Sequence, residues 1–344
     1  MANDALSFRP TGLLRSGHLQ TLLSSLWPLS WLTRRRAAAL RTGARELLLD
    51  CDDGVRLQAW VSAGPPPVRR VALLLHGWEG SAEATYLLSL GSALLARGYE
   101  VVRLNLRDHG ATHHLNREIF HSCRLAEVIG AVRDIARRYP QARLYLAGFS
   151  LGGNFLLRVA AAARAPKQIA GVVAVSPVLD PDATLTALER GWLIYRRSFV
   201  RRWSRSLRRK QRAWPGVHDF GDMLRLAQLR GMTAGLVVRC TAFPDLAAYL
   251  NGYAITGSRL STLRFPARVL LAEDDPIVPA ADLTRLAASP LLKVERSRYG
   301  GHCGFAGSLS GPSWADRYVL SQFDEFDESS ALTGARADWE CAPD

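Results

Sequence analysis

Residues 146–154 read LAGFSLGGN, a single serine set among glycines after an apolar run. The stretch before it, Ala142–Ala147, is short, apolar and aromatic, and Asn154–Ala162 after it is rich in helix formers. Ser150 therefore falls between a strand and a helix. So tight a strand-to-helix turn strains its central residue and leaves little room beside it, and Gly148, Gly152 and Gly153 meet that demand. Such a turn holds the hydroxyl out from the sheet edge. Read in isolation, the same residues also describe a glycine-rich loop with an incidental serine, so the rest of the chain must decide.

Outward from this turn the pattern is strand, helix, strand, helix. Val71–Leu75, Val101–Leu106, Ala142–Ala147 and Gly171–Val175 are short apolar strands. Helical stretches Ala84–Arg97 and Ser122–Tyr139 lie between them, the second with Leu125, Val128, Ile129, Val132 and Ile135 at helical spacing. Alternation of this kind implies right-handed crossovers and a mostly parallel sheet with helices on both faces, an α/β fold. Upstream, Glu46–Asp50 and Val55–Val61 flank an Asp53-Gly54 turn and read as a hairpin. The alternation stops near Pro177 and returns with a strand at Ala267–Ala272, a helix from Ala280 and a strand at Lys293–Arg298. The expected organisation is an N-terminal arm (1–44), an α/β core (45–178 and 266–330), a helical cap insertion (179–265) and a C-terminal tail (331–344).

At 344 residues and 48% hydrophobic, the chain can bury a large core, which excludes disordered and fibrous classes. Its five cysteines, Cys51, Cys123, Cys240, Cys303 and Cys341, are scattered without a CxxC pair, the usage of a reducing compartment. The early apolar stretch carries Arg9, Arg15 and His18 inside it and Arg34, Arg35 and Arg36 after it, reversing the charge order of a secretory signal. No window approaches 18 uncharged apolar residues. The expectation is a cytoplasmic protein, soluble or membrane-peripheral. Net charge is +13, and Arg196–Arg212 contributes nine cations with no acid among them.

If Ser150 is a nucleophile, it needs a base, a group to orient that base and donors for an oxyanion, all from loops at the carboxyl ends of the strands. After the first parallel strand comes HGWEG, His76–Gly80, whose Trp78 amide can pair with that of Leu151 as an oxyanion hole. After the strand ending near Leu271 comes EDDPIVP, Glu273–Pro279, three acids before a proline-fixed turn. Asp275 is the choice for the orienting carboxylate and Asp274 the alternative; a helix N-terminus would also gather acids here. After the last strand comes YGGHCGF, where His302 sits between glycines rather than on an apolar face. The chain order Ser, Asp, His is that of α/β-hydrolases.

LAGFSLGGN, HGWEG, EDDPIVP and GGHCGF, with GHLQTL at Gly17–Leu22, together resemble the YheT-like branch of the α/β-hydrolase superfamily, which also includes α/β-hydrolase-domain-containing proteins 1 and 3. The likeness covers about Phe8 to Phe323. It implies an α/β-hydrolase fold, with Ser150 as nucleophile, Asp275 as acid and His302 as base acting on carboxylic esters or thioesters; described relatives include carboxylesterases, phospholipases and alcohol acyltransferases. Two departures bear on substrate and pocket shape. NLRDHG at Asn105–Gly110 stands where relatives often carry an N-x-R-G run, and the helix after His121-Ser122 lacks an aspartate many of them have.

Asp108, His109, His113 and His114 match no metal-binding spacing, and the chemistry expected of Ser150 needs no metal or cofactor. Cys303, beside His302, is expected to pack. Within Arg196–Arg212, Phe199, Val200, Trp203 and Leu207 align on one helical face and Arg197, Arg201, Arg205 and Arg208 on another. The plain expectation is a helix docked on the core with solvated cations; the alternative is contact with an anionic membrane through this segment. No nucleic-acid-binding module accompanies the charge. The leading functional expectation is a serine hydrolase of carboxylic esters, small or lipid, working through an acyl-enzyme. An acyltransferase with the same triad and a catalytically silent lipid- or protein-binding fold are the alternatives.

Overall fold

The structure, a computed structural model, describes residues 8–23, 29–308 and 312–340, the last twelve of these as backbone. Residues 341–344 of the expected tail, Cys341 among them, and residues 1–7 and 24–28 of the expected arm lie outside the described residues. Eight strands form one sheet in the order β1-β2-β4-β3-β5-β6-β7-β8. They are β1 (Ala44–Asp50), β2 (Arg56–Ser62), β3 (Arg70–Leu75), β4 (Glu100–Leu104), β5 (Arg143–Phe149), β6 (Ile169–Val175), β7 (Ala267–Ala272) and β8 (Leu292–Ser297). β1 and β2 are the antiparallel hairpin, and β2 joins β4 antiparallel; every pairing from β4 to β8 is parallel. The central strands are buried throughout, as a sheet covered on both faces requires, whereas the edge strand β8, LKVERS, is largely exposed and charged.

Strand periodicity sorts the core into two layers. Leu73, Leu75, Leu144, Leu146, Val172 and Val269 pack on one face against α5 (Leu125–Arg138) and α6 (Leu151–Ala161). Leu74, Tyr145, Ala147, Val173 and Leu270 pack on the other against α4 (Thr85–Ala96) and α11 (Trp314–Glu340). Before the sheet come α1 (Gly17–Leu23), α2 (Leu29–Arg36) and α3 (Ala38–Thr42). Between β6 and β7 lie α7 (Pro181–Arg190), α8 (Leu193–Ala213), α9 (Leu229–Cys240) and α10 (Leu246–Gly252).

One expectation fails locally. The helix expected from Ala280 is a six-residue 3₁₀ segment, Ala280–Arg285. Its chain leaves helical geometry at Leu286, and Pro290 follows before another full turn could form, so nucleation is never repaid. Among the described residues no helix is long and apolar enough to cross a membrane.

Candidate active site

Ser150 lies at the junction of β5 and α6 with φ 52° and ψ −121°, a conformation non-glycine residues rarely adopt. Such geometry costs roughly 1–3 kcal/mol and persists only where the surroundings enforce it. The enforcement is visible: the Ser150 amide donates to the Val175 carbonyl at 2.9 Å, and its carbonyl accepts from the Asn154 amide at 3.1 Å. A Cβ on Gly152 would lie 2.4 Å from the Leu75 carbonyl oxygen and 2.5 Å from that of His76, so only glycine lets the turn sit this close to the β3 loop.

The two other expected loops come together at the same end of the sheet. His302 Nδ1 and Asp275 Oδ2 are 2.9 Å apart, and Asp275 Oδ1 accepts from the Ile277 and Val278 amides at 2.8 and 2.9 Å. With Nδ1 committed to the carboxylate, Nε2 is the nitrogen left for proton transfer. Burial lowers the His302 pKa, but the Asp275 charge and the neighbouring Cys303 outweigh it and hold it well above the usual 6.5. Asp274, the alternative, points elsewhere: its Oδ1 accepts from the Gly301 amide at 2.8 Å, and burial raises its pKa. Cys303 is buried in the second core layer, with its amide donating to Ser176 Oγ at the end of β6.

Trp78 and Leu151 both line the apolar cavity that contains Ser150, a space of about 80 Å³ walled also by Phe120, Leu185, Leu236 and Ile277. Leu151 is the first residue of α6, where an amide has no carbonyl one turn back to pair with. The cavity roof is α8. Its Phe199 ring stacks on Trp78 at 5.4 Å, and its Trp203 ring meets Trp78 edge-on at 5.1 Å. α8 is anchored by Lys210, which differs from the expectation of a solvated cation. It is 1% exposed, donates to Asp108 Oδ1 at 2.9 Å and to the carbonyl of Glu118, and so crosses from the helix to the β4 loop.

Several residues for which no catalytic role is expected shape the site. His76 is fully buried and bridges the Gly77 carbonyl and the Leu106 amide; burial drives its pKa down to about 3, so it is a neutral brace. His109 does the same between the Arg107 carbonyl and the Glu79 amide, with a pKa of about 4. The remaining polar residues of NLRDHG are also braces. Asn105 accepts from the Ala82 amide, and Arg107 pairs with Glu127 at 2.7 Å. His113 faces Ser206 Oγ at 2.9 Å.

The early GHLQTL motif belongs to the site as well. A Cβ on Gly17 would lie 2.2 Å from the Asp274 carbonyl oxygen, so the arm runs directly against the acid loop. Thr21 Oγ1 accepts from the His302 amide at 2.9 Å and donates to the Gly17 carbonyl at 2.7 Å. Gln20 is buried and ties Ala306 through both its amide and its carbonyl. His18 faces Tyr195 Oη at 2.9 Å and stacks on Trp192, which links arm and cap. In the sequence GHLQTL enters only as a motif of the resemblance; nothing in its six residues shows which partners they hold.

Residues 71–308 match the family model for the alpha/beta hydrolase fold. The chain belongs to the α/β-hydrolase family. Within that family the likeness runs to the YheT-like branch. YheT of Escherichia coli (strain K12), an esterase by name, is 27% identical over 319 residues, covering 89% of this chain and 88% of that protein. Human phospholipase ABHD3 is 21% identical over 304 residues, 87% of this chain and 73% of the relative. Among solved structures, the esterase Pf2001 of Pyrococcus furiosus superposes with a TM-score of 0.56 at 16% identity, covering 83% of this chain and 90% of that one, a likeness of fold.

Proposed function

We propose that this α/β-hydrolase is a serine esterase that cleaves carboxylic esters through an acyl-enzyme. The observation that carries the reading is the Asp275–His302 pair, 2.9 Å apart, on the same sheet end as a serine held at φ 52° in the wall of an apolar cavity. In this reading Asp275 fixes the proton of His302 on Nδ1, and Nε2 takes the proton of Ser150 as the oxygen attacks the ester carbonyl. The Trp78 and Leu151 amides receive the developing oxyanion, a role in which one donor contributes about 3–4 kcal/mol to transition-state stabilisation. Collapse breaks the ester C–O bond, and His302 returns the proton to the departing alcohol. A water activated by His302 then releases the acid and frees the serine.

The apolar cavity wall favours an acyl group at this position, and a phospholipase among the relatives agrees with lipid esters as substrates. A series of p-nitrophenyl esters of increasing acyl length tests the reading, with Ser150→Ala beside the wild type. Turnover that depends on Ser150 and prefers short to medium chains supports it; equal turnover by both proteins overturns it. Product analysis with an added alcohol distinguishes water from alcohol as the acyl acceptor.

A further inference from the structure

The outer face of α8 is a row of cations without acidic partners. Ile194, Arg197, Arg201, Arg205, Arg208 and Arg212 are spaced by three and four residues, so they share one face of the helix, and all are exposed. The cations on its other sides are engaged. Arg196 lies 3.9 Å from Glu189, Arg202 donates to Ser198 Oγ at 3.0 Å and lies over the Phe199 ring, and Lys210 is bonded to Asp108. The five outer arginines have no ion pair among the described residues, and four of them line a single surface cleft. An isolated row of like charge opposes its own assembly unless something of opposite charge covers it.

Two further observations say what covers it. The row begins at an apolar tip, with Trp192, Leu193 and Ile194 exposed by 54%, 42% and 52%. Across a cleft lined by Arg34 on one side and by Arg202, Arg205 and Arg209 on the other, α2 carries a second exposed tryptophan: Trp31 is 51% exposed beside the exposed Arg35 and Arg36, while Arg34 lies 3.6 Å from Glu83. We infer that α8, with α2 beside it, docks this protein on an anionic lipid bilayer, arginines among the headgroups and the Trp192–Ile194 tip in the acyl boundary. A nucleic acid would satisfy the arginines, but it offers nothing to two aliphatic side chains that cannot stack on bases. The bilayer interface takes both, and tryptophan is the side chain that sits at its boundary. The inner face of α8 carries Phe199 and Trp203 over the Ser150 cavity, so docking sets the cavity roof between lipid and active site. That last consequence rests on the esterase reading; docking itself does not.

The test is sedimentation of the full-length protein, carrying Ser150→Ala so that no chemistry intervenes, with phosphatidylcholine vesicles containing or lacking phosphatidylglycerol. The expected result is binding to the anionic vesicles alone, weakening as salt rises. Arg201→Gln/Arg205→Gln/Arg208→Gln should reduce it on the order of 100-fold, with an unchanged melting temperature showing that the fold is kept. Trp192→Ser/Leu193→Ser/Ile194→Ser should weaken binding without changing its salt dependence. Equal sedimentation with both vesicle types overturns the proposal, as does a triple arginine variant that binds like its parent. So does tight binding of an RNA oligonucleotide by a protein that ignores anionic vesicles.

Discussion

Replacing Asp275 by Asn changes one atom of the site, and the hydrogen bonds around it determine the consequence. Asp275 Oδ1 accepts from two backbone amides and Oδ2 faces His302 Nδ1. Asparagine has two orientations there. With its NH₂ toward the amides it would set donor against donor twice, each a buried unsatisfied group costing about 1–3 kcal/mol. With its oxygen on the amides it keeps both bonds and points NH₂ at His302, so the second orientation wins. Nδ1 must then accept, the ring proton moves to Nε2, and Nε2 cannot take a proton from Ser150. Inverting a triad histidine in this way costs on the order of 10⁴-fold in kcat, or about 5 kcal/mol of barrier. Asp274→Asn is the control: the new amide oxygen still accepts from Gly301, and the loss should stay within about tenfold. The assay is p-nitrophenyl ester hydrolysis by both variants, with melting temperatures to show that each is folded. Asp275→Asn within tenfold of wild type, or Asp274→Asn as the more damaging change, would refute the assignment of roles in this loop.

Other outcomes follow from the same geometry. His302 must be neutral to act as a base, and its pKa is held well above 6.5, chiefly by Asp275 against the effect of burial; the acid limb of the kcat/KM profile should therefore lie above pH 6.5, activity falling as pH drops through it. A limb below pH 6 would contradict this. Lys210→Met leaves the buried Asp108 without its paired cation, with the Phe120 amide as its remaining donor, which should cost about 3–5 kcal/mol in chemical denaturation; a loss under about 1 kcal/mol would mean that α8 is held by its apolar face alone. Thr21→Val keeps the shape of the arm but leaves the partly buried His302 amide without that acceptor. It should lower stability by about 1–3 kcal/mol and reduce kcat more than it raises KM, since the base moves and the cavity does not.

Much of the fold was legible because its signals are local. The continuous apolar runs of β3, β5, β6 and β7, alternating along the chain with helical stretches such as α5, identify a covered parallel sheet, and Gly148 and Gly152 mark the turn that the sheet needs at Ser150. The glycine-flanked His302 and the acids before Pro276 were legible for the same reason, as short segments at strand ends. What escaped was held by distant partners. Lys210 reads as one more cation on a basic helix, and only its meeting with Asp108, 102 positions earlier, makes it an anchor. His76 reads only as the first residue of HGWEG and His109 as one of a histidine group that matches no metal spacing; full burial keeps both neutral and makes them braces of the Trp78 loop. Thr21 and Gln20 carry no periodicity in so short a segment, and their partners lie 281 and 286 residues away. The segment from Ala280 has helical composition, but its chain turns extended at Leu286, ahead of Pro290, and only six residues of 3₁₀ helix form.

The central claim is that Ser150 is an activated nucleophile, and intact mass after incubation with a fluorophosphonate measures that directly. The wild-type protein should carry one phosphonyl adduct and Ser150→Ala none, with the adduct slowed on Asp275→Asn. A folded wild-type protein that stays unmodified, with anionic vesicles present as well as absent, or an adduct that survives Ser150→Ala, would contradict it.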